Sequence, residues 1–316
     1  MLRSALIWVL TAAPLAAEDM VDRVQAAYAD WVVAQNTSGV IAVGTNGALG
    51  WEIFPAAGRG ELASVSKSVT AICALALVEE GRLDWSDTVE QRLGEGPAVT
   101  LAQLVTHSSG LVRDGTQAAM PVWLDRPTSP AGHNARVVFD LIVARGAPQG
   151  ERGRYAYNNE NYALVALMIE AATGQGYVEA CWPRLELDDG IGVSARTAAF
   201  GPWGGLEARP EAYLAFLHRH FGPESPVGQD PLAFPHVDIG GGAYYGLGMV
   251  FRPFRDGFNF WHFGAQCFPG RLEAGSYIVM WEGKVSALAV YDACVDWDTM
   301  ISLDHALSTS VYRGVP

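Results

Sequence analysis

Residues 61–80 read Glu61-Leu-Ala-Ser64-Val-Ser-Lys67-Ser-Val-Thr-Ala-Ile-Cys73-Ala-Leu-Ala-Leu-Val-Glu-Glu80, followed by Gly81. Val65, Val69, Ile72, Ala76 and Leu77 recur at three- and four-residue steps, which predicts a helix with an apolar face. Gly81 is suited to end it. Ser64 and Lys67 are three residues apart, so a helix brings the hydroxyl and the amine to one side. A serine hydroxyl is a poor nucleophile until a base takes its proton. A lysine can be that base only if burial or a neighbouring cation lowers its pKa. The chain has two lysines, Lys67 and Lys284, and one of them sits in this apolar run. Taken alone, Lys67 also reads as a solvated lysine at a helix start.

The chain has 316 residues, half of them hydrophobic and 17% charged, a globular composition with room for one large or two medium domains. A formal net charge of -13 argues against nucleic acid or an anionic membrane as partner, since both select basic surfaces. At the N-terminus, Arg3, an apolar run over residues 5–13 and Leu15-Ala16-Ala17 form the pattern of a secretory signal. Residues 1–17 are therefore expected to be removed, leaving a periplasmic or secreted protein without a stable membrane anchor. Four cysteines follow, with no Cys-x-x-Cys pair to suggest zinc or redox chemistry. Cys73 reads as a buried free thiol, and Cys267 and Cys294 as partners that can bridge in an oxidising compartment. No cofactor is expected: the phosphate-, dinucleotide- and zinc-binding signatures are absent from the sequence.

Amphipathic spacing predicts a helix over residues 18–36, then strands at 38–43 and 49–54 around Thr45-Asn46-Gly47. Residues 83–192 read as helices and loops, with helices at 101–106, 135–145 and 160–173, and another follows at 210–221. Strands are expected at 246–251, 258–263, 276–281 and 285–291, then a closing helix at 298–311. Strands thus lie at both ends and helices between. The fold class is α/β of the α+β type, an antiparallel sheet flanked by helices with an inserted all-helical domain. Residues 18–80 and 236–316 are assigned to the sheet domain and 81–235 to the mainly helical one.

Two further segments carry chemistry. Tyr155-Ala-Tyr157-Asn158-Asn159 precedes a helix. A phenol can act as general base beside a cation, and Asn159 can orient Lys67 and bind a substrate carbonyl. Trp261-His262-Phe263-Gly264-Ala265 lies on a strand. There Gly264 allows close approach, and the Ala265 and Ser64 N–H groups can form an oxyanion hole. Singly, these segments also read as a core tyrosine with a helix-capping asparagine and as a half-buried strand histidine.

Together, Ser-x-x-Lys, Tyr-x-Asn and His-x-Gly in this order resemble the serine β-lactamase/penicillin-binding-protein superfamily, in its class C β-lactamase-related branch. Leu104-Val-Thr-His107-Ser-Ser-Gly-Leu111, residues 153–162, Gly204-Gly-Leu206 and Tyr245-Gly-Leu-Gly248 are similar to further segments of that family. The resemblance implies Ser64 as acylated nucleophile, with Lys67 and Tyr157 sharing the general-base work. It implies Asn159, His262, Gly264 and Ala265 as substrate-binding residues, and His107 as structural. The implied activity is hydrolysis of small esters, amides or peptides, as a carboxylesterase or D-amino-acid peptidase. Where lactamases carry Lys-Thr-Gly this chain has His262-Phe263-Gly264, which weakens the expectation of β-lactam hydrolysis. The alternatives are a penicillin-binding or sensor module without turnover and, within hydrolases, a Ser-His-Asp enzyme. The latter lacks its Gly-x-Ser-x-Gly signature in this sequence.

Overall fold

The computed structural model describes residues 13–45, 51–54, 58–126, 132–146, 148–187, 189–283 and 285–312. Most of the expected signal, the Asn46-Gly47 turn and Lys284 lie outside the described residues. The strands are β1 Gly39–Thr45, β2 Trp51–Phe54, β3 Gly60–Glu61, β4 Ile191–Val193, β5 Leu206–Ala208, β6 Val237–Gly240, β7 Ala243–Gly246, β8 Met249–Phe254, β9 Gly257–Phe268, β10 Leu272–Trp281 and β11 Val285–Tyr291. The helices are α1 Ala13–Ala34, α2 Ser66–Glu79, α3 Val89–Leu93, α4 Leu101–Val105, α5 Thr116–Trp123, α6 Ala135–Arg145, α7 Asn159–Thr173, α8 Tyr177–Arg184, α9 Gly201–Gly204, α10 Pro210–Phe221, α11 Pro226–Gln229 and α12 Trp297–Tyr312.

Eight strands form one antiparallel sheet in the order β2-β1-β11-β10-β9-β8-β7-β6, so β1 from the first part of the sequence pairs directly with β11 from the last. Strand alternation sorts its residues onto two faces. Ile41, Val43, Tyr277, Val279, Ala287 and Ala289 pack with Val24 and Tyr28 of α1 and Leu303 and Leu307 of α12. Ala42, Ile278, Met280, Leu288 and Val290 face the other way, into the larger core that holds α2 and α7. The central strands are therefore covered on both sides, which matches their continuous apolar runs. Helix α10 lies against β1, β2 and β11, so it covers the sheet although its sequence sits among the helical segments.

Helix α2 is buried on every side as far as Leu75, rather than along one apolar face. Its closest neighbours include α7, α8 and α9. Cys73 is not a free thiol: it is bonded to Cys181 of α8, across 108 residues of sequence. A thiol on the buried face of one helix can meet a partner on the next, and local periodicity is blind to it. Cys267 and Cys294 are bonded as expected.

Two strand readings change. The segment expected as one strand at 246–251 is split by a turn at Leu247 and Gly248, both with positive φ (50° and 79°). A second, three-stranded sheet β3-β5-β4 joins the segment before Ser64 to residues 191–208. Its strands of two or three residues are too short to show alternation.

Candidate active site

Ser64 sits two residues before the start of α2, in the 3₁₀ turn Ala63–Val65. That turn is held on three sides. Leu62 N–H donates to Leu206 O at 2.8 Å, Ser276 Oγ–H donates to Leu62 O at 2.7 Å, and Val65 N–H donates to Leu62 O at 3.0 Å. Ala63 has φ +46°, a left-handed conformation unusual for a residue with a side chain, at the position just before the serine. Gly264 of β9 makes the approach possible. A Cβ there would lie 2.5 Å from Leu62 O and 2.4 Å from Ser276 Oγ. The glycine expected to admit substrate thus also seats the nucleophile turn against the sheet.

The three segments converge. Lys67 Nζ lies 3.0 Å from Ser64 Oγ, and Tyr157 OH lies 2.7 Å from the same oxygen. Lys67 is fully buried and reaches two more acceptors, Asn159 Oδ1 at 2.8 Å and Trp203 O at 2.7 Å. Both are acceptors only, so each takes an N–H from the amine. The third tetrahedral position of Nζ faces Ser64. In the neutral amine that position is the lone pair, aimed at the hydroxyl proton. Burial brings the Lys67 pKa down to about 7, against an opposing pull from Asp114. A substantial neutral fraction is thereby available near neutral pH. If the neutral amine is the working form, kcat/KM should rise with pH through about 7 and level off above it. A pH–rate profile on an activated ester checks this; a flat response across that range excludes Lys67 as the base.

Tyr157 is half open to the cleft along its ring, with its hydroxyl directed inward at Ser64. Burial raises the phenol above its ordinary pKa, only partly offset by the bond to Ser64. The resting group is a neutral phenol that donates to Ser64 Oγ, so the expected sharing of the base role shifts toward Lys67. His262 is neutral as well. Burial, and then the nearby Lys67 charge, push its pKa down to about 3. Its Nδ1 faces the Phe263 carbonyl at 2.6 Å and so carries the proton; Tyr245 OH, 3.3 Å from Nε2, donates there. His262 therefore offers no cation in the place where lactamases carry the lysine of Lys-Thr-Gly.

Several positioning groups escaped sequence reasoning. Asp114 Oδ2 accepts from Asn159 N–H at 3.2 Å, and Thr116 Oγ1 accepts from Asn159 Nδ2 at 3.1 Å. These fix the amide so that its oxygen faces Lys67. Asn158, not Asn159, caps α7, through Oδ1 and Glu160 N–H at 2.8 Å. His107 is buried, with its ring 4.4 Å from that of Tyr157, and its Nδ1 accepts from Asn158 N–H and Asn161 Nδ2. It thus ties down the loop as expected, and also backs Tyr157.

The cleft above Ser64 holds about 580 Å³ and contains Tyr157, Asn159, His262, Gly264 and Ala265 in its lining. Strand β8 pairs with β9 only as far as Trp261, while β10 continues to Phe268. Among the described residues, positions 262–268 of β9 therefore present an open strand edge to the cleft, with Ala265 on it. An open edge offers backbone N–H and C=O groups to a ligand. No group of His, Cys, Asp and Glu side chains fit to hold a metal occurs among the described residues.

A serine reached by a buried lysine and a tyrosine is thus seated where an antiparallel sheet meets a cluster of helices. Residues 55–185 match the family model described as Beta-lactamase. Protein flp of Staphylococcus aureus (strain NCTC 8325 / PS 47) is 28% identical over 127 residues, and Penicillin-binding protein 4* of Bacillus subtilis (strain 168) is 32% identical over 127 residues. These matches cover 38% of this chain and 24% and 26% of the relatives, so the match spans about a quarter of their length. Among solved structures, D-amino acid amidase from Ochrobactrum anthropi SV3 complexed with D-phenylalanine superposes with a TM-score of 0.72 at 17% identity, covering 94% of this chain and 100% of that one. The octameric penicillin-binding protein homologue from Pyrococcus abyssi gives 0.65 at 19% identity, covering 94% and 79%. The mixed fold with its large antiparallel sheet is common to them.

Proposed function

We propose that this chain is a secreted serine hydrolase that cleaves uncharged esters or amides through an acyl-enzyme on Ser64. The observation that carries the reading is the contact of Ser64 Oγ with both Lys67 Nζ and Tyr157 OH. Neutral Lys67 takes the serine proton as Oγ attacks the carbonyl carbon. The Ser64 and Ala265 N–H groups receive the developing oxyanion. The proton then passes from Lys67, by way of the Tyr157 hydroxyl, to the departing alcohol or amine as the tetrahedral centre collapses. Water repeats the sequence on the acyl-enzyme, with Lys67 again the base, and frees Ser64.

The preference for uncharged substrates is supported by the cleft, whose lining contains no Lys, Arg, Asp or Glu among the described residues. A carboxylate such as that of penicillins would be desolvated there without a cationic partner. The D-amino acid amidase likeness makes N-acylated D-amino-acid amides, which carry no ammonium, worth assaying. Secretion is supported by the signal-like residues 1–17 and by two disulfides, which persist in oxidising compartments. A fluorophosphonate probe is expected to add its mass to Ser64, with labelling lost in Ser64→Ala, and p-nitrophenyl acetate to be turned over repeatedly. Absence of labelling in the intact protein would remove the reading. Acylation without turnover would favour the sensor reading, for which the departure at His262-Phe263-Gly264 speaks.

A further inference from the structure

The cleft does not end at the nucleophile. Its inner part holds Ser64, Tyr157 and Asn159; it then continues over the open edge of β9 to Trp261, Phe263, Trp297 and Met300. Trp261 and Phe263 belong to the face of β9 that packs toward α1 and α12, opposite the buried His262 and Gly264. Phe263 stacks on Tyr277 with ring centroids 4.4 Å apart, and the Trp297 indole meets Phe263 edge-on at 5.6 Å. Trp297 is nevertheless 61% exposed, a large apolar surface standing at the rim.

This outer wall is fixed in place. Cys294, three residues before Trp297, is bonded to Cys267 of β9. The opposite wall is tied to the same hairpin, because Arg271 donates to Pro121 O at 2.6 Å and to Leu124 O at 3.1 Å at the end of α5. Both sides of the cleft thus hang on the β9–β10 hairpin, and its width is set before a ligand arrives. Preset apolar walls favour binding because little ordering is left to occur.

We propose that the outer arm is an apolar subsite. There, Trp297 and Met300 receive an uncharged aromatic or long aliphatic group of the substrate, across the β9 edge from the scissile bond. The proposal rests on the reading of Ser64 as the nucleophile. The group either belongs to the acyl part or to the leaving alcohol, and the two are told apart by varying one at a time. The test compares wild type, Trp297→Ala and Trp297→Phe on p-nitrophenyl esters from acetate to octanoate, and on phenyl and 2-naphthyl acetate.

In Trp297→Ala, the octanoate-to-acetate ratio of kcat/KM, or the naphthyl-to-phenyl ratio, is expected to fall roughly tenfold. Trp297→Phe is expected to restore most of it. The series that moves identifies the side of the scissile bond. Both ratios unchanged, or an equal loss on every ester, overturns the subsite. Binding of 2-naphthol, followed by fluorescence, needs no catalysis. If no ester is turned over and Ser64 is not labelled, the hydrolase reading fails. In that case, naphthol binding weakened about tenfold in Trp297→Ala still supports the apolar subsite, and unchanged binding overturns it.

Discussion

Lys67→Ala is expected to lower kcat/KM for p-nitrophenyl acetate by roughly 10³-fold or more, within the range for loss of a positioned general base. The size follows from the lack of a substitute. Tyr157 is held as a neutral phenol by burial, and His262, at a pKa of about 3, has its ring nitrogens turned to the Phe263 carbonyl and Tyr245. Lys67→Arg should not rescue, because a guanidinium keeps its proton at any working pH. Tyr157→Phe leaves the amine in place and removes only the relay, so a smaller loss of about 10²-fold is expected. Lys67→Ala also strands the Asn159 and Trp203 oxygens, so the assay belongs on protein shown to be folded, and Lys67→Met keeps the volume. A Lys67→Ala protein that retains a tenth of wild-type turnover would contradict the mechanism.

The parts of the site that sequence revealed are those where chemistry coincides with local periodicity. Ser64 and Lys67 sit one helical turn apart, and a lysine in a run as apolar as 62–78 is legible without coordinates. Tyr157 and His262 are candidates on their side-chain chemistry, but only the resemblance joins them to Ser64, since nothing in the spacing brings Tyr157 to within 2.7 Å of an oxygen 93 residues away. The groups that hold Lys67 at its task were hidden for a different reason. Trp203 acts through its backbone carbonyl, which every residue has, and Asp114 and Thr116 act from the segment leading into α5, through bonds to Asn159. Cys73 reads as a thiol because the apolar spacing of its helix accounts for it fully; its partner is remote in sequence and adjacent only after α8 packs. The sheet was legible in its long central strands and not in β3, β4 and β5, whose pairing depends on distant segments.

Gly248→Ala is expected to destabilise the fold by about 3 kcal/mol or more and to damage the site with it. Gly248 lies in the turn that splits the expected strand, with φ +79°, and packs directly on the helix that carries the base. A Cβ there would stand 2.5 Å from Ser68 Cα and N and 2.6 Å from Lys67 C, all backbone atoms that cannot rotate away. The strain from the left-handed backbone is about 1–2 kcal/mol; the remainder is the clash. Gly241→Ala separates the two contributions. It has φ +64° in the turn between β6 and β7, with open space where its Cβ would go, so it should cost only the backbone share. Urea midpoints of the two variants measure the difference, and p-nitrophenyl acetate turnover shows whether relief of the clash has moved Lys67 from Ser64. Equal midpoints would mean that the helix yields without cost. That outcome would be hard to reconcile with a lysine pinned at 2.7 Å and 2.8 Å to two fixed acceptors, because any shift of the α2 backbone at Lys67 must stretch those bonds or reorient the amine.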